Sequence, residues 1–557
     1  TIGEVWERRQ NYNLWANRQS PEYHQTYGLG FFEFFQFCED IGAEPVPVVN
    51  CGMACQARRG RHAPLDQLGP WVQDALDLIE FANGPTNSFW GARRAAMGHP
   101  SSFNLKFIGI GNEQWHQEYF DRYVIFYRAI KEKYPDIQVI STSGPHPNDD
   151  LFHFAWNKFR TGTPADLVDE HYYRPPQWFL ENDDRYDCYP RNGPKVFAGE
   201  YAAHDTNRRN NLRSAIAEAA FITGLWRNAD VVVMASYAPL FANANHVQWR
   251  PNLIWFNNTN SYGTPSYYVQ AMYSANRPDV VLPVKVDAPV VPAAPFTGRI
   301  GVGTWRTQAE FKDISVAKDG RLLFRSDFTK GFGDWETHGG RWTVVDGALR
   351  QTSEEENVRA FIGDTNWVDY TLSLKARKIA GYEGFLVCFA NRDADTVTWW
   401  NIGGWNNTQH GLEVPGATAP FVPGRIETGR WYDIRVELKG ATVKCYLDGS
   451  LVQEAACRPT RTLYAAAGRK NGTGEVILAV ANPTHQPVAT RLKLVGARSV
   501  GPTAKVTQLT STSPDDENSF DEPDRVSPRV HAAEIRGPEF DHQFPPWSLT
   551  ILSVKTN

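Results

Sequence analysis

The chain has 557 residues, which is long enough for roughly two to four domains with a substantial core. Its formal net charge of -5 is small for this length and its Lys and Arg residues form no long runs, so nucleic acid and membrane surfaces are not expected partners. Seven Cys without a paired Cys-x-x-Cys framework argue against a disulfide scaffold or a zinc ribbon, and we expect no metal and no cofactor.

Short apolar runs alternate with segments of helical spacing through the first half of the chain. Helical spacing from Leu29 to Glu39 predicts a helix that Gly42 ends with a left-handed cap. A second helix is predicted from Pro70 to Ala82, and the segment after it is predicted to be a loop rich in Gly, Pro and Asn. Buried strands are predicted to begin near Glu44, Leu105, Ile137, Asp166, Lys195 and Asp230. This alternation predicts βαβ units and a parallel sheet, to which an eight-stranded barrel would add two strands.

The second half of the chain is rich in β-strand patterns. Val280 to Val286 opens this region, and Ala288 to Phe296 is a Pro/Ala linker. Many short alternating runs separated by turn residues predict an all-β module from Thr297 to Pro459. Strand patterning resumes at Gly474, and the acidic segment from Ser513 to Asp524 is predicted to be a surface loop.

Two carboxylates are the strongest candidates for chemistry. Glu113 follows one predicted buried strand and Glu200 stands at the end of another, so a barrel that closes through these strands would direct both into its mouth. Glycoside hydrolysis needs such a pair, because one carboxyl group protonates the leaving oxygen while the other attacks the anomeric carbon or activates water. A separation of about 5 to 5.5 Å implies retention of configuration, and roughly 6.5 to 9.5 Å implies inversion.

Three polar residues are candidates for the surroundings of this pair. The Asn112 amide can both donate to and accept from a sugar hydroxyl, and the Tyr173 hydroxyl is suited to donate to an ionised nucleophile. His171 is either a site residue or a satisfied structural donor, and the sequence leaves both open.

Several motifs resemble those of the glycoside hydrolase family 51 α-L-arabinofuranosidases of clan A. They are GIGNEQW, DEHYY, KVFAGEYA and MASYAPLFANANHVQWRPNLIWF, with TIGEVWERR, RAAMGHP and GEVILAVANP. The resemblance covers essentially the whole chain. It implies a (β/α)8 TIM-type barrel and a retaining exo mechanism that releases terminal α-L-arabinofuranose, with Glu113 as acid/base and Glu200 as nucleophile. The substrate-binding residues that it implies are Asn112, Tyr173, His171, Trp178 and Asn50.

The resemblance also implies a domain organisation. The expected domains are a barrel at 1–277, a C-terminal β-sandwich at 278–296 and 460–557, and an inserted concanavalin-like jelly-roll at 297–459. The first two barrel strands of the family have no counterpart here, so only strands three to eight are expected. We therefore expect an upstream segment, on the same polypeptide or on a cleaved partner chain, to complete the barrel.

Other functions stay open on the same scaffold. A β-xylosidase or an endo-β-glucanase would use the same fold and carboxylates, and a non-catalytic carbohydrate-binding protein is a further alternative. An oligo- or polysaccharide from arabinan, arabinoxylan or a related plant glycan is the expected partner. The oligomeric state is left open, including a homo-oligomer, and we favour an extracellular or periplasmic location over the cytoplasm.

Three tryptophans of the β-rich module, Trp399, Trp400 and Trp405, are candidates for a platform that stacks on sugars. Adjacent residues of a strand face opposite sides, so at most two of the three share a surface. We favour a structural or domain-docking role for them.

Overall fold

The computed structural model describes residues 10–12, 24–26, 29–56, 60–247, 249–393, 398–414, 417 and 419–556. The chain divides into two compact units. The larger unit combines Thr1–Ala288 with Thr462–Asn557, and the smaller unit is Pro289–Arg461. Within the described ranges, no helix is both long enough and apolar enough to cross a membrane.

The first segment of the larger unit alternates helices with strands. Its helices are α1 (Phe31–Ile41), α2 (Gly69–Asn83), α3 (Phe89–Ala96), α4 (His116–Lys133), α5 (Asp150–Arg160), α6 (Pro176–Glu181), α7 (Leu212–Arg227) and α8 (Pro265–Ala275). Its strands are β1 (Gln10–Tyr12), β2 (His24–Thr26), β3 (Val48–Val49), β4 (Phe107–Ile110), β5 (Gln138–Thr142), β6 (Leu167–Arg174), β7 (Lys195–Ala203), β8 (Val232–Ala235), β9 (Phe241–Asn243), β10 (Ile254–Phe256), β11 (Ser261–Gly263) and β12 (Val280–Leu282).

Strands β3 to β8 form a six-stranded parallel sheet in which each strand pairs with the next along the chain. This confirms the predicted alternation of strands and helices. Because all six strands run the same way, their carboxyl ends lie at one edge, and the segments that follow β4 and β7 meet there. Strands β9 to β11 form a separate three-stranded sheet in the connection from β8 to α8.

Local differences from the sequence prediction have identifiable causes. Gly42 caps α1 in the left-handed conformation, with φ of 69°, as predicted. The strand predicted from Glu44 is reduced to β3, because Pro45 and Pro47 have no N–H to donate to a neighbouring strand. The segment predicted as a loop after α2 contains α3, whose amino terminus is capped by Ser88 Oγ accepting from Gly91 N–H.

The smaller unit is built from two antiparallel sheets over one core. Its strands are β13 (Val290–Val291), β14 (Arg299–Thr304), β15 (Thr307–Lys318), β16 (Arg321–Ser326), β17 (Glu336–His338), β18 (Trp342–Val345), β19 (Ala348–Gln351), β20 (Val358–Ile362), β21 (Thr371–Gly381), β22 (Phe385–Asn391), β23 (Trp399–Gly403), β24 (Gln409–Glu413), β25 (Val422–Pro423), β26 (Trp431–Lys439), β27 (Thr442–Leu447), β28 (Ser450–Ala456) and β29 (Thr460–Arg461), with a short turn α9 (Gly404–Asn407). One sheet has the order β17-β20-β14-β22-β23-β24-β25. The other has the order β18-β19-β15-β21-β26-β27-β28, with β16 paired to β15.

The tryptophans of this unit are not arranged as an open platform. Trp400 points into the core between the sheets and its indole N–H donates to Gln453 Oε1 at 2.7 Å, while Trp399 joins a separate buried cluster on the other face of β23. Both are buried, and Trp405 packs against Phe421 with ring centroids 4.3 Å apart and the ring planes tilted by 37°. These contacts support the structural role.

The larger unit resumes with a β-sandwich. Its strands are β30 (Tyr464–Arg469), β31 (Glu475–Asn482), β32 (Val488–Lys493), β33 (Val500–Leu509), β34 (Arg529–Glu534), β35 (Glu539–Phe544) and β36 (Ser548–Thr556). The main sheet has the order β12-β30-β31-β36-β33-β34, and β32 pairs with β35. Alternate residues of β31 face opposite layers, since Ile477 and Ala479 join the core of the parallel sheet whereas Val480 joins a second core.

Candidate active site

The turn after β4 places Glu113 at the carboxyl edge of the parallel sheet. Gly111 has φ of +76° and a Cβ added there would lie 2.6 Å from Gln114 Oε1, so this position requires glycine. The Gln114 side-chain oxygen accepts a hydrogen bond from the Asn112 N–H and closes the turn. Glu113 itself has φ of +56°, a left-handed conformation that is uncommon for residues other than glycine.

Neighbouring strands β6 and β7 bring the other groups of the site together. Their register pairs His171 with Glu200, next to a bulge between Asp169 and His171. Because side chains alternate along a strand, Asp169, His171 and Tyr173 share one face of β6. Four polar side chains therefore converge at one end of β6 and β7, namely those of Asp169, His171, Tyr173 and Glu200.

His171 bridges three carboxylates. Its Nδ1 lies 2.8 Å from Glu113 Oε1 and 3.7 Å from Glu200 Oε2, and its Nε2 lies 3.0 Å from Asp169 Oδ2. Burial opposes protonation of this imidazole, but the adjacent carboxylates outweigh burial and raise the pKa of His171 well above its ordinary value. The sequence left its role open, and the structure brings it into the site.

Two groups lie beside the Glu200 carboxylate, the Tyr173 hydroxyl and the His171 imidazole. The Tyr173 hydroxyl donates to Glu200 Oε2 at 2.7 Å, as the sequence predicts. Burial raises the pKa of Glu200, and the Glu113 charge adds to this rise, whereas His171 and the Tyr173 hydroxyl lower it. The direction of this shift alone does not assign the acid/base and nucleophile roles, which therefore rest on the family resemblance.

The two predicted carboxylates lie close together. One oxygen of Glu113, one oxygen of Glu200 and one nitrogen of His171 all lie within 4.8 Å of one another. Strands β4 and β7 are three positions apart, which in a flat sheet would be about 14 Å. The two glutamate side chains therefore reach toward each other across β5 and β6.

Asp169 is a site residue that the sequence reasoning missed. It orients His171 through Nε2, and Gly199 leaves room for it, because a Cβ at Gly199 would lie 2.1 Å from Asp169 Oδ1. The available signal was its position two residues before His171, which places both on one strand face.

An aromatic group beside Tyr173 was also missed. The ring centroids of Tyr173 and His204 are 5.3 Å apart and the rings are stacked, and Trp249 lies 5.6 Å from Tyr173 and 5.7 Å from His204. The Arg208 guanidinium lies 4.5 Å from the centre of the Trp249 ring. Burial, followed by the Arg208 charge, lowers the pKa of His204 to about 4, so this imidazole is neutral at neutral pH. These side chains form a wall next to Glu200.

Two predicted asparagines lie at the same edge of the sheet. Asn112 is exposed and precedes Glu113 in the turn. Asn50 follows β3, and its side-chain oxygen accepts hydrogen bonds from the N–H groups of Gly52 at 2.7 Å and Met53 at 3.2 Å. The Asn50 side chain therefore stabilises the loop that follows β3. Contact of Asn50 or Asn112 with a sugar stays a prediction.

The structure does not bring Trp178 to the carboxylates. Its ring stacks on Tyr172 with centroids 5.5 Å apart, contacts Phe179 and Phe221, and is 8% exposed. Tyr172 alternates with His171 along β6 and so faces the opposite side of the sheet. Trp178 is therefore a core residue. The expectation that it lies in the site did not separate the two faces of β6.

Glu113, His171 and Glu200 are of residue types that can bind a metal ion, and they lie close together. The adjacent carboxylates raise the pKa of His171, so a proton competes with any metal ion for its nitrogens.

The fold and the site together define a class of protein. Paired carboxylates at the carboxyl edge of a parallel sheet are the arrangement found in glycoside hydrolases. Family descriptions agree, because the "Alpha-L-arabinofuranosidase 1 domain" matches residues 1–191 and the "Alpha-L-arabinofuranosidase C-terminal domain" matches residues 195–548. The chain belongs to the α-L-arabinofuranosidase family, as its motifs predict.

Similar proteins carry the same description. An extracellular exo-α-L-arabinofuranosidase of Streptomyces chartreusis is 43% identical over 570 residues, which cover 100% of this chain and 67% of that protein. An α-L-arabinofuranosidase of Arabidopsis thaliana is 42% identical over 280 residues, which cover 49% of this chain and 39% of that protein. This chain thus spans two thirds of the first relative and about two fifths of the second.

Solved structures show the fold. An arabinose-bound family 51 α-L-arabinofuranosidase matches with a TM-score of 0.61 and 22% identity, over 100% of this chain and 61% of that one. The family 51 enzyme of Thermotoga petrophila matches with a TM-score of 0.56 and 15% identity, over 100% of this chain and 83% of that one. These likenesses confirm the predicted combination of a TIM-type barrel with a C-terminal β-sandwich.

Proposed function

We propose that this protein is a retaining exo-glycoside hydrolase that releases terminal α-L-arabinofuranose from arabinan, arabinoxylan or related plant glycans. The observation that carries the proposal is the approach of Glu113 and Glu200 to within 4.8 Å between carboxylate oxygens. An oxygen-to-oxygen distance of this size fits the roughly 5 to 5.5 Å separation of the carboxyl groups in retaining enzymes better than the roughly 6.5 to 9.5 Å that admits water in inverting ones. It also counts against a non-catalytic binding protein, because bringing two like charges together is costly without a use for them.

In this proposal the reaction proceeds in two displacements. Glu200 attacks the anomeric carbon while Glu113 gives its proton to the leaving glycosidic oxygen, which forms a glycosyl-enzyme. Glu113 then takes a proton from water, which attacks the same carbon and releases Glu200. Asn112, His171 and Tyr173 stand where they can contact the sugar or hold the two carboxylates.

Asp169, His171 and Tyr173 give the carboxylates fixed partners. The hydrogen bond that His171 Nε2 donates to Asp169 fixes the imidazole ring, and the protonated ring places a positive charge beside both Glu113 and Glu200. This charge and the Tyr173 hydroxyl favour the ionised form of Glu200 that a nucleophile requires.

The relatives support the sugar and the location. The Streptomyces protein is described as an extracellular exo-α-L-arabinofuranosidase, and the solved structure with a TM-score of 0.61 is described as arabinose-bound. We extend the exo action, the arabinofuranose specificity and the extracellular location to this chain as parts of the proposal.

The inserted jelly-roll is also part of the proposal. The two antiparallel sheets over one core in Pro289–Arg461 support a jelly-roll inserted into the sandwich. The expected upstream segment or partner chain that completes the barrel, and the oligomeric state, stay predictions.

Turnover of aryl α-L-arabinofuranosides tests the function. We expect the protein to cleave an aryl α-L-arabinofuranoside in preference to an aryl β-xyloside, and NMR of the first-formed sugar to show the retained anomer. Glu200→Gln should lower kcat by about 10⁴-fold or more, because the nucleophile is lost. Glu113→Gln should lose activity on substrates with poor leaving groups and retain part of it on those with good ones.

Glu118→Gln is the matched control, since Glu118 is an exposed carboxylate in the same segment. It should behave like the unaltered protein. Unchanged turnover in both Glu113→Gln and Glu200→Gln would show that these residues are not the catalytic pair.

A further inference from the structure

A second cavity lies in the larger unit outside the group of carboxylates. Its volume is ≈ 250 Å³ and its lining includes Asn210, Arg250, Trp255, Tyr262, Glu517 and Phe520. We call it the loop cavity. The proposed reaction uses none of these residues.

Three chain segments build the loop cavity. Asn210 comes from the connection between β7 and α7, and Arg250, Trp255 and Tyr262 come from the connection between β8 and α8. The remaining wall, 517–520, belongs to the acidic segment that was predicted to be a surface loop.

That acidic segment is held against the barrel rather than free at the surface. Leu212 N–H donates to Asp516 O at 3.0 Å, and Arg213 N–H donates to Pro514 O at 2.8 Å. The Asn518 side chain donates to Gly263 O at 2.8 Å, and Asn518 is 6% exposed. The wall is therefore fixed before any ligand binds, which lowers the entropic cost of binding.

The lining combines aromatic surface with hydrogen-bonding groups. Trp255 is buried, and Tyr262 and Phe520 pack edge to face with ring centroids 4.9 Å apart. The Arg250 guanidinium lies 4.6 Å from the centre of the Trp255 ring, and Glu517 supplies a carboxylate. Vicinal sugar hydroxyls each donate and accept, so a site for a sugar needs both donors and acceptors beside an apolar surface.

One buried donor in this lining lacks a partner. Asn210 is 6% exposed, and its side-chain oxygen accepts from the Asn252 N–H at 2.9 Å, which fixes the amide. Among the described residues, none accepts a hydrogen bond from Asn210 Nδ2. A buried donor without an acceptor costs free energy, so a ligand oxygen in the cavity would satisfy it.

The charge and the volume of the loop cavity limit the class of ligand that it can bind. Arg250 and Glu517 carry opposite charges, and Glu517 already pairs with Arg209, so the wall selects neither an anion nor a cation. The volume is below the roughly 300 to 1,000 Å³ of pockets for drug-sized ligands, so it suits a single sugar ring. Burial and the Glu517 charge raise the pKa of Tyr262, so its hydroxyl keeps its proton and can donate.

The same two connections also line the carboxylate site. Trp249 packs beside Tyr173 and is followed directly by Arg250, and Arg208 covers Trp249 two residues before Asn210. A sugar in the loop cavity would therefore lie near the glycan that is bound at the carboxylates.

We propose that the loop cavity is an accessory subsite that binds one neutral pentose ring, either a further unit of the substrate glycan or the free sugar. The choice of a pentose rests on the proposed function. The cavity itself rests on the described contacts.

Binding to a protein that cannot turn over its substrate tests this proposal. Isothermal titration of Glu200→Gln with L-arabinose and, separately, with a linear α-1,5-arabinotriose should show either two sites per chain for L-arabinose or one trisaccharide site that includes the loop cavity. Adding Tyr262→Phe or Asn210→Asp should weaken the second L-arabinose site, or the trisaccharide site, by about fivefold or more, the usual effect of losing one hydrogen bond. Adding Tyr268→Phe, which removes a hydroxyl bonded to Asp524 outside the cavity, should leave the binding of both probes unchanged.

The possible results separate the sources and the two proposals. Two sites with L-arabinose identify a site for the free sugar, and a single trisaccharide site that the cavity variants weaken identifies a subsite for the glycan. Binding of both probes that is insensitive to both cavity variants, in protein with an unchanged melting temperature, overturns the subsite. Failure of the unaltered protein to cleave an aryl α-L-arabinofuranoside would instead overturn the proposed function.

Discussion

Tyr173 contacts the same oxygen of Glu200 that lies nearest to His171. Its hydroxyl donates to Glu200 Oε2 at 2.7 Å, and its ring is fixed by the stack on His204 and by Trp249. The hydrogen bond stabilises the ionised carboxylate, whereas burial destabilises it. The hydroxyl therefore helps to keep the proposed nucleophile ionised.

Tyr173→Phe removes this donor and keeps the ring. Without the donor the pKa of Glu200 rises further, so the nucleophile ionises only at higher pH. We expect the acidic limb of the kcat/KM profile to shift to higher pH and kcat/KM at its optimum to fall by about 10- to 100-fold. The measurement is a pH profile with an aryl α-L-arabinofuranoside.

Tyr201→Phe is the control for this variant. Tyr201 lies next to Glu200 on β7, but its hydroxyl donates to Gln270 at 2.8 Å and is not part of the carboxylate group. Its pH profile should match that of the unaltered protein. An unshifted acidic limb in Tyr173→Phe would show that this hydroxyl does not tune the pKa of Glu200.

The sequence allowed the two carboxylates to be predicted, because each follows a recognisable buried strand. Asp169 was missed, because its position two residues before His171 gains meaning only once the role of His171 and the room left by Gly199 are known. His204 and Trp249 were missed for a related reason. Their contact with Tyr173 joins two connections that are adjacent only in the folded chain.

At the scale of elements, α7 is enclosed by two sheets. It packs on β7 of the parallel sheet and on β30 and β31 of the sandwich, so nearly every side of it is buried. Glu218 of α7 is completely buried, and one of its oxygens accepts from the Ala203 N–H at 2.8 Å. Burial raises the pKa of Glu218 to about 8, although the Ala203 hydrogen bond opposes the rise.

The raised pKa of Glu218 makes stability depend on pH. The folded state keeps the proton up to about pH 8, whereas the unfolded state loses it near pH 4.3. The folded state therefore binds more protons between these values, and its stability falls as the pH rises, by about 1.4 kcal/mol per pH unit, until the folded group also ionises.

Glu218→Gln removes this titration and keeps an oxygen for the Ala203 N–H. We expect the melting temperature of the variant to fall less steeply than that of the unaltered protein between pH 5 and pH 8, with the variant relatively more stable at pH 8. Thermal melts across this range measure the effect. The exposed carboxylate variant Glu118→Gln should follow the unaltered protein, and parallel curves for Glu218→Gln would contradict a neutral buried carboxyl.

Helices and strands could be predicted where the local sequence pattern determines them. The local pattern predicted the helices that begin near Leu29 and Pro70, and continuous apolar runs predicted the parallel strands. The acidic segment 513–524 was assigned to the surface on charge alone. The structure buries Asp516 and Asn518 because backbone groups at the start of α7 and in β11 become their partners, which no local pattern reveals.

At the scale of the whole molecule, the smaller unit is self-contained in its core. The buried side chains between its two sheets all come from residues 296–455. The segments at which its chain enters and leaves, β13 and β29, pair antiparallel with Val290 opposite Arg461 and Val291 opposite Thr460. Its two ends are thus adjacent, as is common for a domain that can be inserted into a loop of another.

A chain limited to residues 289–461 should fold alone, because it contains both sheets, their shared core and the strand pair that joins its ends. We expect one cooperative thermal transition in the range of about 45 to 65 °C that is usual for domains of mesophilic proteins. Circular dichroism and calorimetry would measure it. Trp400→Ala in this chain should lower the stability by about 3 to 5 kcal/mol, since it empties the centre of the core and removes the indole donor to Gln453 Oε1. A broad, non-cooperative melt, or a transition that Trp400→Ala does not move, would show that this unit depends on the rest of the chain for its fold.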